Sequence, residues 1–248
     1  MWQIIGISCL AGLSTPLGAW IVLRLRTLSA RTLSFFLGLA SGIMVTVILT
    51  DLMPMSIKLG GHRTFFWGAC AGWIFLWGIR FLVNRAVRSP VTHNDSHAKQ
   101  TNPFRALGWF IAIAIALHDI PEGIAIGAGG AAQHSLAIVV AVAIAIHNIP
   151  EGMSIAAPML LGGEARSRVF LTTVVTGFVT PLGTLISLLI VRFSGSFISL
   201  SLAFASGAMA CVVTQDMLPH SLAQSRLNTI VGASVGALVM FFVTSVGV

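Results

Sequence analysis

The amino-acid sequence predicts an all-α integral membrane protein: a single transmembrane domain over residues 1–248, with eight transmembrane helices in a 3+2+3 inverted-repeat bundle. Three observations predict it. Hydrophobic residues make up 56% of the 248-residue chain and charged residues only 8%, whereas a soluble globule carries about a quarter charged residues. The apolar residues gather into runs long enough to cross about 30 Å of hydrocarbon. The first third of the chain also recurs, in the same order, in the last third. A net charge of +7 suggests nucleic acid in a soluble protein; here it sits in short connections and reads as a topology signal. No nucleic-acid partner is expected, and the bilayer is the expected surroundings.

Taken in order, the first span covers about 3–23. It has no basic leader and no small-residue cleavage site, and Arg24 and Arg26 follow directly, so it reads as a retained helix rather than a signal peptide. Spans over about 34–55 and 64–84 complete the first repeat, residues 3–84. The connection 85–105 is polar and contains Pro90 and Pro103, which marks a loop. Two central spans follow, 106–128 and 135–161, and then 169–191, 197–218 and 228–247 form the second repeat over 169–247.

Eight crossings put both termini on one side. The connections on that side hold Lys58, Arg63 and Arg192, while those opposite hold Arg24, Arg26, Arg31, Arg80, Arg85, Arg88, Lys99, Arg105, Arg166, Arg168 and Arg226. Because basic residues favour the cytoplasmic side, the expected topology is a cell-membrane protein with termini outside and loop 85–105 in the cytoplasm.

An offset of 165 aligns Thr15-Pro16-Leu17-Gly18 with Thr180-Pro181-Leu182-Gly183, Ala40-Ser41-Gly42 with Ala205-Ser206-Gly207, Met44 with Met209, Asp51 with Asp216, and Pro54 with Pro219. An offset of 164 carries Gly68 and Gly72 onto Gly232 and Gly236. An odd number of spans separates the copies, so they cross the membrane in opposite senses. That is a transporter plan, with the substrate near the midplane at interrupted helices.

The two central spans carry one motif twice: His118-Asp119-Ile120-Pro121-Glu122-Gly123 and His147-Asn148-Ile149-Pro150-Glu151-Gly152. Histidine and glutamate four apart share a helix face, so His118 pairs with Glu122 and His147 with Glu151. Pro121 and Pro150 remove a backbone donor in each helix and free the carbonyls of Leu117 and Ile146. The motifs fall near the middle of their spans, where ionisable groups are costly and mark function. Two imidazoles and two carboxylates suit a first-row divalent cation: imidazole suits Zn, Fe, Ni and Cu, and carboxylate widens acceptance toward Mn. Asp119 and Asn148 border the same site, which gives His118, Asp119, Glu122, His147, Asn148 and Glu151 as the metal set.

Further candidates are weaker. Asp51 and Asp216 are expected at opposite mouths of the pathway, since one ends a helix running outward and the other a helix running inward; an acid there concentrates cations. Met44 reads first as packing and second as a soft pathway donor. His93, Asp95 and His97 in the loop are candidates for metal capture. Cys9, Cys70 and Cys211 have no metal or redox spacing. No catalytic residue and no catalytic cofactor is expected: the chain has neither the H-E-x-x-H of a metalloprotease nor G-x-S-x-G. The competing readings are an intramembrane metal-dependent hydrolase and a proton-coupled carrier of another solute, with the histidines and glutamates as a proton relay.

On these residues the chain resembles the ZIP (Zrt/Irt-like) divalent-metal transporters, and their bacterial, GufA-like members most. The resemblance covers all eight predicted helices and rests most heavily on the twin His-x-x-Pro-Glu-Gly copies. It implies import of Zn2+, Fe2+ or related dications such as Cd2+ into the cytoplasm. It further implies His118, Glu122, His147 and Glu151 as direct ligands, with Asp119 and Asn148 at a neighbouring metal position. An elevator-like motion of helices one, four, five and six, and a homodimer, belong to the same implication. Related chains often carry glutamate just before the sixth-helix proline, where this one has Thr180; Asp119, where many have asparagine, is expected to restore that charge.

Overall fold

The computed structural model describes residues 1–25, 29–88, 102–132, 134–189 and 195–246. His93, Asp95 and His97 lie outside them. Among the described residues all regular structure is helical, as lipid requires of a chain without a closed barrel. Seven segments there are long and apolar enough to cross a membrane, one of them the 53-residue stretch Ala30–Leu82. The chain is therefore an all-helical, multi-span membrane protein.

The first crossing is two helices in line, α1 (Trp2–Gly12) and α2 (Ser14–Arg24). They meet at Leu13, ahead of Pro16, whose ring cannot share a straight helix with the carbonyl four residues back. The next stretch begins as α3 (Ala30–Val47), capped by the Ser29 side chain, which accepts from the Thr32 amide at 3.1 Å. It widens into a π-turn at Ile48–Leu52 and continues as α4 (Met53–Arg88). Pro54 accounts for the π-turn, because widening moves the Thr50 carbonyl away from its ring. Within α4, Gly61 adopts φ 79° and ψ 170°, a left-handed backbone that only glycine enters readily. There the helical path breaks, inside what hydropathy alone merges into one segment.

The centre is a hairpin of α5 (Pro103–Ala132) and α6 (His134–Leu161). Gly163, at φ 83°, turns the chain out of α6 and buries Glu164 beneath it. Glu164 accepts from Arg105 Nε at 2.6 Å, Trp109 Nε1 at 3.0 Å and Arg168 Nη1 at 2.8 Å. That knot ties the start of α5 to the start of α7 (Arg166–Gly177). Although burial opposes it, these donors hold the Glu164 carboxyl below its ordinary range. A second in-line crossing pairs α7 with α8 (Val179–Leu189), the break falling at Phe178 ahead of Pro181. Then come α9 (Gly195–Val212), a π-turn at Val213–Met217, α10 (Leu218–Gln224) and α11 (Arg226–Val246). Pro219 follows this π-turn as Pro54 follows the first.

Packing runs α4 on α9, α3 on α11, α8 on α5 and α2 on α6, through glycines that allow backbone to touch backbone. A Cβ at Gly42 would overlap the Ala233 carbonyl, one at Gly207 that of Ala69, and one at Gly12 that of Gly177. Two serine clasps add direction. Ser56 and Ser199 each donate to the other's carbonyl at 2.8 Å, and Ser34 and Ser221 do so at 3.1 and 2.7 Å. The main apolar core gathers Leu33, Leu37, Ile111, Ile115, Met159 and Met209, all fully buried. Outside it, Trp67, Ile74, Leu227 and Phe242 face outward, as a lipid solvent permits.

Candidate metal site

The twin motifs meet where α5 and α6 pass each other. Their glycines let them sit close to the flanking helices: a Cβ at Gly123 would overlap the Thr180 carbonyl, and one at Gly152 the Thr15 carbonyl. Gly18 and Gly183 meet the carbonyls of Ile149 and Ile120 in return. The last residue of each motif is thus fixed by contact with the Thr-Pro-Leu-Gly segments.

The side chains pair across the hairpin. His118 Nε2 lies 3.2 Å from Glu151 Oε1, and His147 Nε2 lies 3.2 Å from both oxygens of Glu122. Along α5, His118 Nε2 is 3.9 Å from Glu122 Oε1. The pairing expected from helical spacing is therefore crossed: in an antiparallel hairpin, numbers rise on one helix as they fall on the other, so 118 faces 151 and 122 faces 147. His118, Asp119, Asn148 and Glu151 are fully buried, and Glu122 and His147 nearly so.

One atom from each of His118, Glu122 and Glu151 lies within 4.8 Å of the other two. The donor chemistry suits a cation. His118 Nδ1 is 3.2 Å from the Ala114 carbonyl, which can only accept, so Nδ1 carries the hydrogen. In the neutral imidazole that turns the Nε2 lone pair toward carboxylate oxygens, an arrangement that a proton or a cation between them relieves. Metal-bound histidines are commonly oriented in this way through the second nitrogen. His147 differs, because its Nδ1 has no partner and its Nε2 is engaged by Glu122.

Asp119 Oδ1 lies 3.5 Å from His118 Nε2. Thr180 faces Asp119, yet neither carboxylate oxygen of Asp119 nor the Thr180 hydroxyl has a hydrogen-bond partner. Asn148 donates to the Ala11 carbonyl at 3.2 Å, and its own oxygen is unpaired. Buried polar atoms without partners are uncommon, and they ring this cluster.

The pathway candidates fall in different surroundings. Asp51 and Asp216 lie inside the two π-turns, with helix continuing beyond each, rather than at helix ends. Asp51 is half-buried and within electrostatic reach of His147. Asp216 is buried and paired with Arg80 Nε at 3.2 Å. Met44 is fully buried in the apolar core. Arg80 was visible in the sequence only as a topology charge: nothing local links it to an acid on another helix.

Fold and site together define a class: a multi-span membrane protein that buries imidazoles and carboxylates where two antiparallel helices meet. Residues 84–244 match the family model described as ZIP Zinc transporter. The chain is 34% identical to Zinc transporter ZupT of Chlorobium luteolum, over 96% of this chain and 97% of that protein. It is 30% identical to Zinc transporter ZupT of Corynebacterium glutamicum, over 95% of each, and 28% identical to that of Chlorobaculum parvum, over 96% and 94%. The chain belongs to the ZIP zinc transporter family, whose members are transporters rather than enzymes.

Proposed function

We propose that this protein imports divalent transition-metal cations into the cytoplasm, Zn2+ first, by holding each ion briefly between His118, Glu122 and Glu151. The observation that carries the reading is the convergence of those three buried donors within 4.8 Å. A dication offsets the burial of carboxylates that would otherwise demand protons or water. His147 orients Glu122, and Asp119, Asn148 and Thr180 flank the ion. Fe2+, Mn2+ and Cd2+ fit the same donors, since geometry and supply rather than ligand type separate these metals.

The same proposal includes eight crossings, with the Ala30–Leu82 stretch divided at Gly61, and an inverted repeat. Supporting the repeat, the π-turns, the in-line breaks at Leu13 and Phe178, and both serine clasps recur at an offset of 165. Termini outside, loop 85–105 inside, Asp51 and Asp216 at the two mouths, capture of metal by His93, Asp95 and His97, and a homodimer complete it. Cysteine labelling from each side of the membrane tests the orientation, and cross-linking in membranes tests the dimer.

Purified protein in liposomes holding a zinc-sensitive dye should admit Zn2+, and Glu151→Ala should abolish entry. A folded protein that binds no divalent metal at neutral pH would overturn the proposal.

A further inference from the structure

Each motif glutamate sits between two positions that weaken its helix: a proline before it, which supplies no amide, and a glycine after it. In α5 the backbone there is held from outside. Thr184 of α8 donates its hydroxyl to the Gly123 carbonyl at 2.9 Å, with the Thr180 carbonyl farther away at 3.3 Å. Ser8 of α1 lies 2.7 Å from the same hydroxyl oxygen. A hydroxyl has one hydrogen and a carbonyl can only accept, so Thr184 donates to Gly123 and Ser8 donates to Thr184. Both side chains are fully buried. The result is a directed chain from α1 through α8 to the residue that follows Glu122.

The repeat does not copy it. At the offset of 165, Thr184 falls on Ala19, and Ser8 falls on Thr173, whose hydroxyl donates within its own helix to the Phe170 carbonyl at 2.8 Å. In α6 the Glu151 carbonyl accepts instead from Ser154, in the same helix, at 2.7 Å, and the matching position in α5 is Ala125. Asn148 does reach α1, but by its side chain and three residues before Glu151. At the glutamate itself, side-chain hydroxyls bond the α5 backbone to its neighbours and the α6 backbone to its own helix.

We propose that Thr184, backed by Ser8, is a positioning residue for the cation site: it holds the backbone at Glu122 in the place that His118 and His147 require. The inference rests on the proposed site at His118, Glu122 and Glu151. Glu122 is the acid that both histidines face, His147 at 3.2 Å from each of its oxygens and His118 at 3.9 Å from one. A shift of its backbone therefore disturbs both contacts at once. Pro121 and Gly123 leave that backbone poorly fixed by its own helix, and the Thr184 bond lands on the residue between Glu122 and the next turn. Because Ser8 donates to the hydroxyl that donates onward, the two bonds reinforce each other. Groups that orient a metal ligand commonly contribute 10- to 100-fold in affinity; Thr184 acts through the backbone rather than on the carboxylate, which places it at the low end of that range.

Calorimetric zinc titration reads affinity in wild type, Thr184→Val, Thr184→Ser, Ser8→Ala and Thr184→Val/Ser8→Ala, each with a thermal melt to verify folding. Thr184→Val keeps the shape without the hydroxyl and should bind zinc about 10-fold more weakly. Thr184→Ser returns the hydroxyl and should bind as wild type does. Ser8→Ala leaves the bond to Gly123 and should lose less than Thr184→Val, with no further loss when the two are combined. Ser56→Ala, which opens the clasp between α4 and α9, should lower the melting temperature and leave zinc affinity unchanged. Should Thr184→Val not fold, Thr184→Ala takes its place, alanine being the residue already accommodated at the mate position, Ala19. If the folded variant lacking the hydroxyl binds zinc as tightly as wild type, or if Thr184→Ser binds as weakly as Thr184→Val, the hydroxyl only packs helices and this proposal fails alone. A wild type that binds no zinc overturns the central site and this proposal with it.

Discussion

The crossed pairing makes a prediction that helical spacing alone would not. His118, Glu122 and Glu151 share one neighbourhood of 4.8 Å, while His147 stands behind Glu122 at 3.2 Å. Replacing His147 by alanine should therefore remove an orienting partner, not a ligand. Such losses weaken metal binding about 10- to 100-fold, or about 1.4–2.7 kcal/mol. Glu151→Ala instead strips a donor and leaves His118 buried without its partner. Losing a direct donor should cost more than losing a group that only orients one, so zinc affinity should fall by more than about 100-fold. His118→Ala and Glu122→Ala should group with Glu151→Ala. Calorimetric zinc titration of the purified variants at one pH, each checked for folding, reads these values directly. If His147→Ala loses as much affinity as Glu151→Ala, His147 is a full ligand and the three-donor reading is wrong.

Three further outcomes follow from packing and charge. Gly152→Ala sets a methyl against the Thr15 carbonyl and should lower stability by about 1–3 kcal/mol, whereas Gly78→Ala, with nothing within 4 Å of the added atom, should be silent in the same melt. Ser56→Ala and Ser199→Ala should each lower stability by about 0.6 kcal/mol, and the double variant by less than the sum, since either change breaks the shared clasp. The depressed carboxyl of Glu164 contributes stability that is present above its ordinary value of 4.5 and is lost as pH falls through the folded value below it. The melting advantage of wild type over Glu164→Gln should thus hold at pH 7 and collapse in acid below 4.5, and an advantage unchanged down to pH 3 would refute it.

Much of this was legible in the sequence, for physical reasons that differ by element. Hydropathy reveals crossings because lipid admits few polar residues, and the twin motifs stand out because His118, Glu122, His147 and Glu151 interrupt otherwise apolar runs. Gly123 and Gly152 were visible as motif residues, but what they touch was not: the Thr180 and Thr15 carbonyls belong to other helices. Crossed pairing needs the register of the α5/α6 hairpin, which spacing within one helix cannot supply. The π-turns are not legible in the sequence although Pro54 and Pro219 follow them, because proline also ends helices, and the expectation of Asp51 and Asp216 at helix ends gives way to positions inside continuing helix. Arg80 and Asp216 are linked only by the α4/α9 packing.

What recurs between the two thirds of the chain is packing; what fails to recur is charge. Glycines, serine clasps, prolines and π-turns find mates at the offset, whereas Asp119 has Asn148 as its counterpart in the second motif copy and Arg80 has Thr244 for a counterpart. A carrier built on an inverted repeat benefits from both. Equivalent packing keeps its two end states close in energy, so that neither becomes a trap. Unequal charge does the opposite for the ion: a ligand bound equally well in two states shifts neither, and a pathway with matching acids at both mouths would hold the cation alike on entry and on exit. Asp216 is ion-paired to Arg80 while Asp51 has no lysine or arginine ion-paired to it among the described residues, and that difference lies in side chains that the repeated framework leaves free to vary.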